Sequence, residues 1–228
     1  MYVQITTRCN MKCLHCCFDC KSKGQDMTLK VFRECVRVME DRDSGMCIGG
    51  GEPTLHRNFE TMLMLAIEAS IQSYNEGGVH VVTNGSVKKR ALLLAELARR
   101  GVVTAALSQD KYHDSSMVHE RVVKAFTSRL ESSYDHERRY PDDYRRINEN
   151  RDSWQLLNEG RCDFGGCGGP DDPDLCCCEG PFIKPSGDVY VCGCTGSTLL
   201  GNVVKDGGLA GLWPDRDCYK QKEPNNDD

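Results

Sequence analysis

An α/β fold with a parallel sheet and helices packed outside it is predicted by two features of the sequence. Short apolar runs take turns with helical stripes along most of residues 1–130, and the runs give way to polar or glycine-containing loops. The length, 228 residues, is enough for one compact domain or for a core with a small appendage. Tyr2–Thr6 reads as the first strand. Residues 28–39 read as the first helix, because Leu29, Phe32, Val36 and Met39 recur at helical spacing and Thr28 suits the N-cap. The pattern then predicts a strand over 46–48, a helix over 58–73, a strand over 79–83 and a helix over 87–100 that Gly101 stops. A fourth strand is expected at 102–107, a further helix at 116–130 and a fifth strand at 154–157; no run is assigned to a sixth.

Composition narrows the class. The net charge of −5 is uneven: residues 162–228 hold 12 acidic against 5 basic side chains, a net −7 that leaves +2 for residues 1–161. An anionic substrate at the core is therefore not excluded. No apolar run approaches the roughly 18 residues that span a bilayer, and no secretory signal is visible. Fifteen cysteines in such a chain point to metal ligation in a reducing compartment rather than to disulfides, so a cytoplasmic protein with no membrane partner is expected.

Three segments carry the chemistry. Cys9, Cys13 and Cys16 have the spacing C-x3-C-x2-C directly after the first strand, and three thiolates leave a [4Fe–4S] cluster one ligand short, with an iron free to bind something. Gly49-Gly50-Gly51-Glu52-Pro53 follows the second strand, where glycines permit close backbone approach and Glu52 offers a carboxylate for an ammonium group. Thr83-Asn84-Gly85 ends the third strand. In this order the segments resemble the radical S-adenosylmethionine (radical SAM) superfamily. The resemblance implies a partial (β/α) TIM-type barrel, abbreviated here because that family's barrel commonly has six strand–helix units. It also implies that Cys9, Cys13 and Cys16 hold the cluster, and that Gly50, Gly51, Glu52, Pro53, Thr83, Asn84 and Ser108 bind S-adenosylmethionine. Barrels of this kind place their chemistry at the C-terminal strand ends, where all these residues fall. Asp110 and His113 follow the fourth strand, where substrate should enter, and are the candidate catalytic residues; a loop-capping Asp and a surface His are the plainer reading. Cys13, Cys17 and Cys20 also satisfy C-x3-C-x2-C. The first frame is preferred because Cys9 follows the strand directly and precedes Asn10, which leaves Cys17 and Cys20 as spare thiols. His15 stands where the family usually has an aromatic residue. Cys35 and Cys47 read as small buried hydrophobes.

Residues 162–218 hold eight cysteines: Cys162, Cys167, Cys176, Cys177, Cys178, Cys192, Cys194 and Cys218. The stretch from Cys178 to Cys192 reads as a β-hairpin turning at Pro185-Ser186-Gly187-Asp188. This resembles the SPASM or twitch auxiliary-cluster domains, which implies a second [4Fe–4S] cluster held from among Cys162, Cys167, Cys178, Cys192, Cys194 and Cys218. A structural zinc site is the alternative. The expected division is a barrel core at 1–158, an auxiliary domain at 159–218 and a disordered tail at 219–228. Tyrosines among arginines at 132–146 read as a solvated helix or loop, or as a nucleic-acid contact.

As the resemblance implies, one electron from a flavodoxin- or ferredoxin-like donor cleaves S-adenosylmethionine, and the 5′-deoxyadenosyl radical takes hydrogen from an unreactive C–H bond. An amino-acid-like C–H of a peptide or protein is the leading substrate. Modification or isomerisation of a nucleotide or nucleic-acid base, one bearing an amino-acid-like adduct included, is the alternative. A Cys-rich metal module for interaction would leave the Gly49–Pro53 and Thr83–Gly85 segments without a role.

Overall fold

A computed structural model describes residues 1–42, 44–72, 78–127, 145–148, 181–193 and 197–206. Its strands are β1 (Tyr2–Thr6), β2 (Met46–Gly50), β3 (Val79–Thr83), β4 (Thr104–Ser108), β5 (Arg145–Asn148), β6 (Phe182–Ile183), β7 (Asp188–Tyr190) and β8 (Leu199–Asn202). Its helices are α1 (Leu29–Arg42), α2 (Phe59–Gln72), α3 (Lys88–Arg99) and α4 (Glu120–Thr127). One sheet runs β5-β4-β3-β2-β1-β6-β7-β8. The pairs from β5 to β6 are parallel, while β6–β7 and β7–β8 are antiparallel. This mixed but mainly parallel α/β sheet is the architecture expected of a partial barrel wall.

The central strands are short and apolar because they are covered: Val3, Ile5, Met46, Ile48, Val79, Val81, Ala105 and Leu107 are all buried. They meet Phe32, Cys35, Val38, Met39, Phe59, Met62, Leu63, Ala66, Leu94 and Ala98 from the helices in one hydrophobic core. The buried stripe of α1 is Val31, Phe32, Cys35, Val38 and Met39, rotated from the expected one; Leu29 and Val36 pack at its margin. Thr28 caps α1 as expected, its Oγ1 accepting from Val31 N at 3.3 Å. Gly101 follows α3 with φ +73°, the left-handed conformation that glycine adopts without strain.

Several elements differ from the sequence reading, for physical reasons. β4 starts at Thr104 because Val102 is exposed, after the chain has turned at Gly101. α4 starts later than expected because Asp114 caps a separate 3-10 turn at Ser115–Met117, accepting from Ser116 N at 3.0 Å. β5 falls at the end of the stretch read as a solvated helix or loop; as Arg-Arg-Ile-Asn it has too little apolar alternation to be seen, and backbone pairing with β4 makes it a strand. The strand expected at 154–157 lies outside the described residues. A sixth parallel strand is supplied by β6, from the hairpin assigned to the appendage: Tyr2 pairs with Phe182 and Val3 with Ile183. The hairpin turn forms where expected, with Lys184 N donating to Asp188 O, Gly187 N to Lys184 O, and Gly187 at φ +88°.

Candidate active site

The loop after β1 is closed at its base before its cysteines reach the cavity. Arg8 grips Asp26 through two bonds, Nε to Oδ1 at 2.9 Å and Nη2 to Oδ2 at 2.8 Å, and its Nη2 also donates to Leu55 O at 3.0 Å. Thr6 Oγ1 donates to the same carboxylate at 2.6 Å. Burial alone would raise the pKa of Asp26, but these bonds outweigh it and hold the carboxyl below its ordinary value. Backbone bonds from Cys9 N to Lys21 O and from Thr7 N to Gln25 O complete the closure. The loop therefore returns to its origin and presents Cys9, Cys13, Cys16, Cys17 and Cys20 to one cavity.

The glycines after β2 serve this packing. A Cβ on Gly49 would lie 2.1 Å from the Tyr2 hydroxyl oxygen, and one on Gly51 would lie 2.1 Å from Arg8 O and 3.1 Å from Cys9 Cβ. In the space so kept, Gly51 N donates to Thr6 O at 2.7 Å and Glu52 N to Arg8 O at 2.8 Å. The close approach expected of a ligand is thus made first by the cysteine loop itself.

Glu52 is 1% exposed and joins the ends of β2 and β3. Its Oε1 accepts from Thr54 N at 3.0 Å, from the Thr54 hydroxyl and from Thr83 Oγ1 at 2.8 Å; its Oε2 accepts from Asn84 N at 2.6 Å. Burial raises its pKa, and the four donors oppose that rise. Asn84 reaches back to the cysteine loop, Nδ2 donating to Asn10 Oδ1 at 3.1 Å and standing 3.8 Å from Cys9 Sγ. Pro53 opens the 3-10 turn Pro53–Leu55 and is buried. Arg90 of α3 pins that turn by donating to Thr54 O and to His56 O at 2.7 Å while it pairs with Glu60. His56 pins it from the other side. Asn58 N donates to its Nδ1 at 3.0 Å, which leaves the proton on Nε2 to donate to Met27 O at 2.9 Å.

The cavity, about 760 Å³, is lined by all five loop cysteines together with Gly50, Gly51, Glu52, Thr83, Asn84, Ser108 and His113. Residues predicted from four separate strand ends therefore share one space. Asp110 stands just behind this wall and bonds His113, Oδ1 to Nδ1 at 2.7 Å. Burial works against charge on His113, yet Asp110 and the Cys13 thiol beside it outweigh burial and raise its pKa to about 9. His113 is half-buried in the cavity wall, so it is not the surface histidine of the plainer reading. His15 is buried against Tyr112 and His113, with ring centroids 4.9 Å from each.

Cys35 is a core residue as expected, but Cys47 is not: it lines the cavity, and burial pushes its thiol up to about 12. Cys192 is buried beside Ser197, with Sγ 3.3 Å from Oγ. Cys162, Cys167, Cys176, Cys177, Cys178, Cys194 and Cys218, the tail at 219–228 and most of the tyrosine–arginine stretch lie outside the described residues. The sequence reading missed Arg8, Asp26, His56 and Arg90, which position the site without lining it. Their signal, a charge pair and a histidine in polar loops, is too common to stand out.

Residues 3–139 match the Radical SAM superfamily model. The chain belongs to the radical SAM superfamily. Its members are enzymes that use a [4Fe–4S] cluster, S-adenosylmethionine and a reductant. Among solved structures, the chain is similar to BtrN in complex with AdoMet and 2-DOIA, at 14% identity and a TM-score of 0.59 over 90% of this chain and 78% of that one. It is also similar to native anSMEcpe with bound AdoMet, at 16% identity and a TM-score of 0.51 over the same shares. No curated protein matches the chain. At such identities the two structures share the fold with this radical SAM chain. Among the described residues, no helix is long and apolar enough to cross a membrane.

The donor set fits the family's cofactors. Burial pushes the Cys9 thiol up to about 11, with Glu52, Cys13 and Cys16 acting the same way, so its thiolate form would need a cationic centre beside it, as a cluster iron would supply. Hydroxyl, amide and backbone groups of Gly51, Thr83, Asn84 and Ser108 line the same cavity and would suit the polar parts of S-adenosylmethionine.

Proposed function

We propose that this enzyme cleaves S-adenosylmethionine reductively and abstracts hydrogen from an amino-acid-like C–H bond of a peptide or protein. The observation that carries this reading is the single cavity shared by the cysteine loop, the glycine–glutamate turn, Thr83-Asn84 and His113. When bound, the cluster and S-adenosylmethionine supply the one-electron cleavage and the 5′-deoxyadenosyl radical. Cys9, Cys13 and Cys16 would hold the cluster. In support of this frame, Asn84 reaches Cys9, while Cys20 is buried at 1% exposure with its amide on Cys16 Sγ at 3.4 Å. Gly50, Gly51, Pro53 and Glu52 would shape the S-adenosylmethionine seat with Thr83, Asn84 and Ser108. Glu52 would act on an ammonium group while it fixes the strand ends.

A volume near 760 Å³ suits the cofactor with a side chain or a small residue, and excludes a folded domain. His113, held by Asp110 at 2.7 Å in the cavity wall, would face an oxygen-bearing group of the substrate. An auxiliary [4Fe–4S] cluster in a SPASM/twitch-like domain at 159–218 is the accompanying proposal, with Cys192 its described member. The reductant would be flavodoxin- or ferredoxin-like, as in a cytoplasmic setting. The test is anaerobic: reconstitute with iron and sulfide, add S-adenosylmethionine and dithionite, and quantify 5′-deoxyadenosine with and without candidate peptides. Formation that disappears in Cys9→Ala, Cys13→Ala and Cys16→Ala supports the reading. Formation that survives Cys9→Ala and is lost in Cys20→Ala would move the cluster to the second frame.

A further inference from the structure

We propose that His15, Asp110 and His113 form a second metal site, for one divalent transition-metal ion, in the wall of the cavity. One ligand atom from each lies within 4.8 Å of the others, although the residues come from two loops, those following β1 and β4. The Asp110–His113 hydrogen bond uses only Oδ1 of the carboxylate. Oδ2 belongs to a side chain 1% exposed and has no hydrogen-bond partner among the described residues. His15 Nε2 stands 3.6 Å from it, beyond hydrogen-bond reach but at a spacing two ligands of one ion can share. A buried carboxylate oxygen left in this way is costly unless a cation completes it.

The donor set selects the ion. Two imidazoles and one carboxylate suit iron, cobalt, nickel or zinc, whereas calcium and magnesium prefer all-oxygen sites. His15 and His113 both line the cavity, so the ion's remaining positions would open toward it. There it would hold an oxygen-bearing group of the substrate. That use rests on the radical SAM reading; the binding of the ion does not.

The test loads reconstituted full-length protein with Co(II), anaerobically, and reads it by EPR and electron spin echo, where the oxidised cluster is silent. The expected result is one high-spin Co(II) per chain with couplings from two imidazole nitrogens. His15→Gln or His113→Gln should each remove one nitrogen coupling, and the near-isosteric Asp110→Asn should keep both; each variant should weaken binding by about tenfold or more with cluster iron unchanged. Wild-type protein that retains no cobalt, or retains it without imidazole coupling, overturns the proposal with no variant needed. So do couplings that all three variants leave intact. 5′-Deoxyadenosine formed by wild-type protein that retains no cobalt would leave the radical SAM reading standing while this proposal fails.

Discussion

Glu52 shows how one side chain can serve structure and chemistry together. Four donors from Thr54, Thr83 and Asn84 converge on its carboxylate, and each would be left buried without it. Glu52→Ala should cost about 2 kcal/mol or more in chemical denaturation, because every orphaned buried donor costs about 1–3 kcal/mol. It should also weaken S-adenosylmethionine binding, read by calorimetry on reconstituted protein. The cysteines behave differently, since their role is ligation and not packing. Alanine at Cys9, Cys13 or Cys16 should reduce the loaded iron while the melting temperature of the metal-free chain changes little. Cys35→Ala should do the reverse, because Cys35 is wholly buried in the core.

At the scale of elements, the site depends on clamps between loops. Arg90 reaches from α3 to the turn after β2, and its guanidinium fork bonds Glu60 and three backbone carbonyls at once. Lysine cannot reproduce that planar geometry. Arg90→Lys should therefore lower S-adenosylmethionine affinity several-fold with little change in helix content, which circular dichroism and a binding titration would separate. Asp26 clamps the cysteine loop in the same way through Arg8 and Thr6. Asp26→Asn should reduce the iron retained after desalting, since a loop with a looser base holds its thiols less firmly. These clamps were illegible in sequence because they join residues 18 to 47 positions apart, and local spacing carries no record of such pairs.

For the whole molecule, the hairpin is decisive. Phe182 pairs with the edge of β1 and its ring stacks with Tyr2 and Phe18, closing one side of the cavity. Phe182→Ala should cost about 3–5 kcal/mol by the usual scale for buried aromatics. A guanidinium melt would show it, and a second, earlier transition would indicate that the hairpin folds apart from the barrel. Acid should weaken the fold as well. Asp26, Glu60 and Asp188 have pKa values held below the ordinary carboxylate range, by Arg8 with Thr6, by Arg90, and by Ser186 with Asn202, respectively. Each adds stability that is full above its unfolded pKa, roughly 4, and is lost as pH falls through the lower folded value. The melting temperature should hold at neutral pH and drop below about pH 4.

The sequence alone determined the alternation of strands and helices, the three loops that carry the chemistry and the family they resemble. Those features are local: apolar period, glycine placement and cysteine spacing are written within a few residues of one another. The tertiary structure decided what distance in the chain conceals. It made Arg145–Asn148 a strand through pairing with β4, although its side chains do not advertise one. It joined the hairpin to β1 and turned Cys47 from core to cavity. It also brought His15 to Asp110 and His113 across 95 positions, because strands that lie apart in sequence end side by side in one sheet.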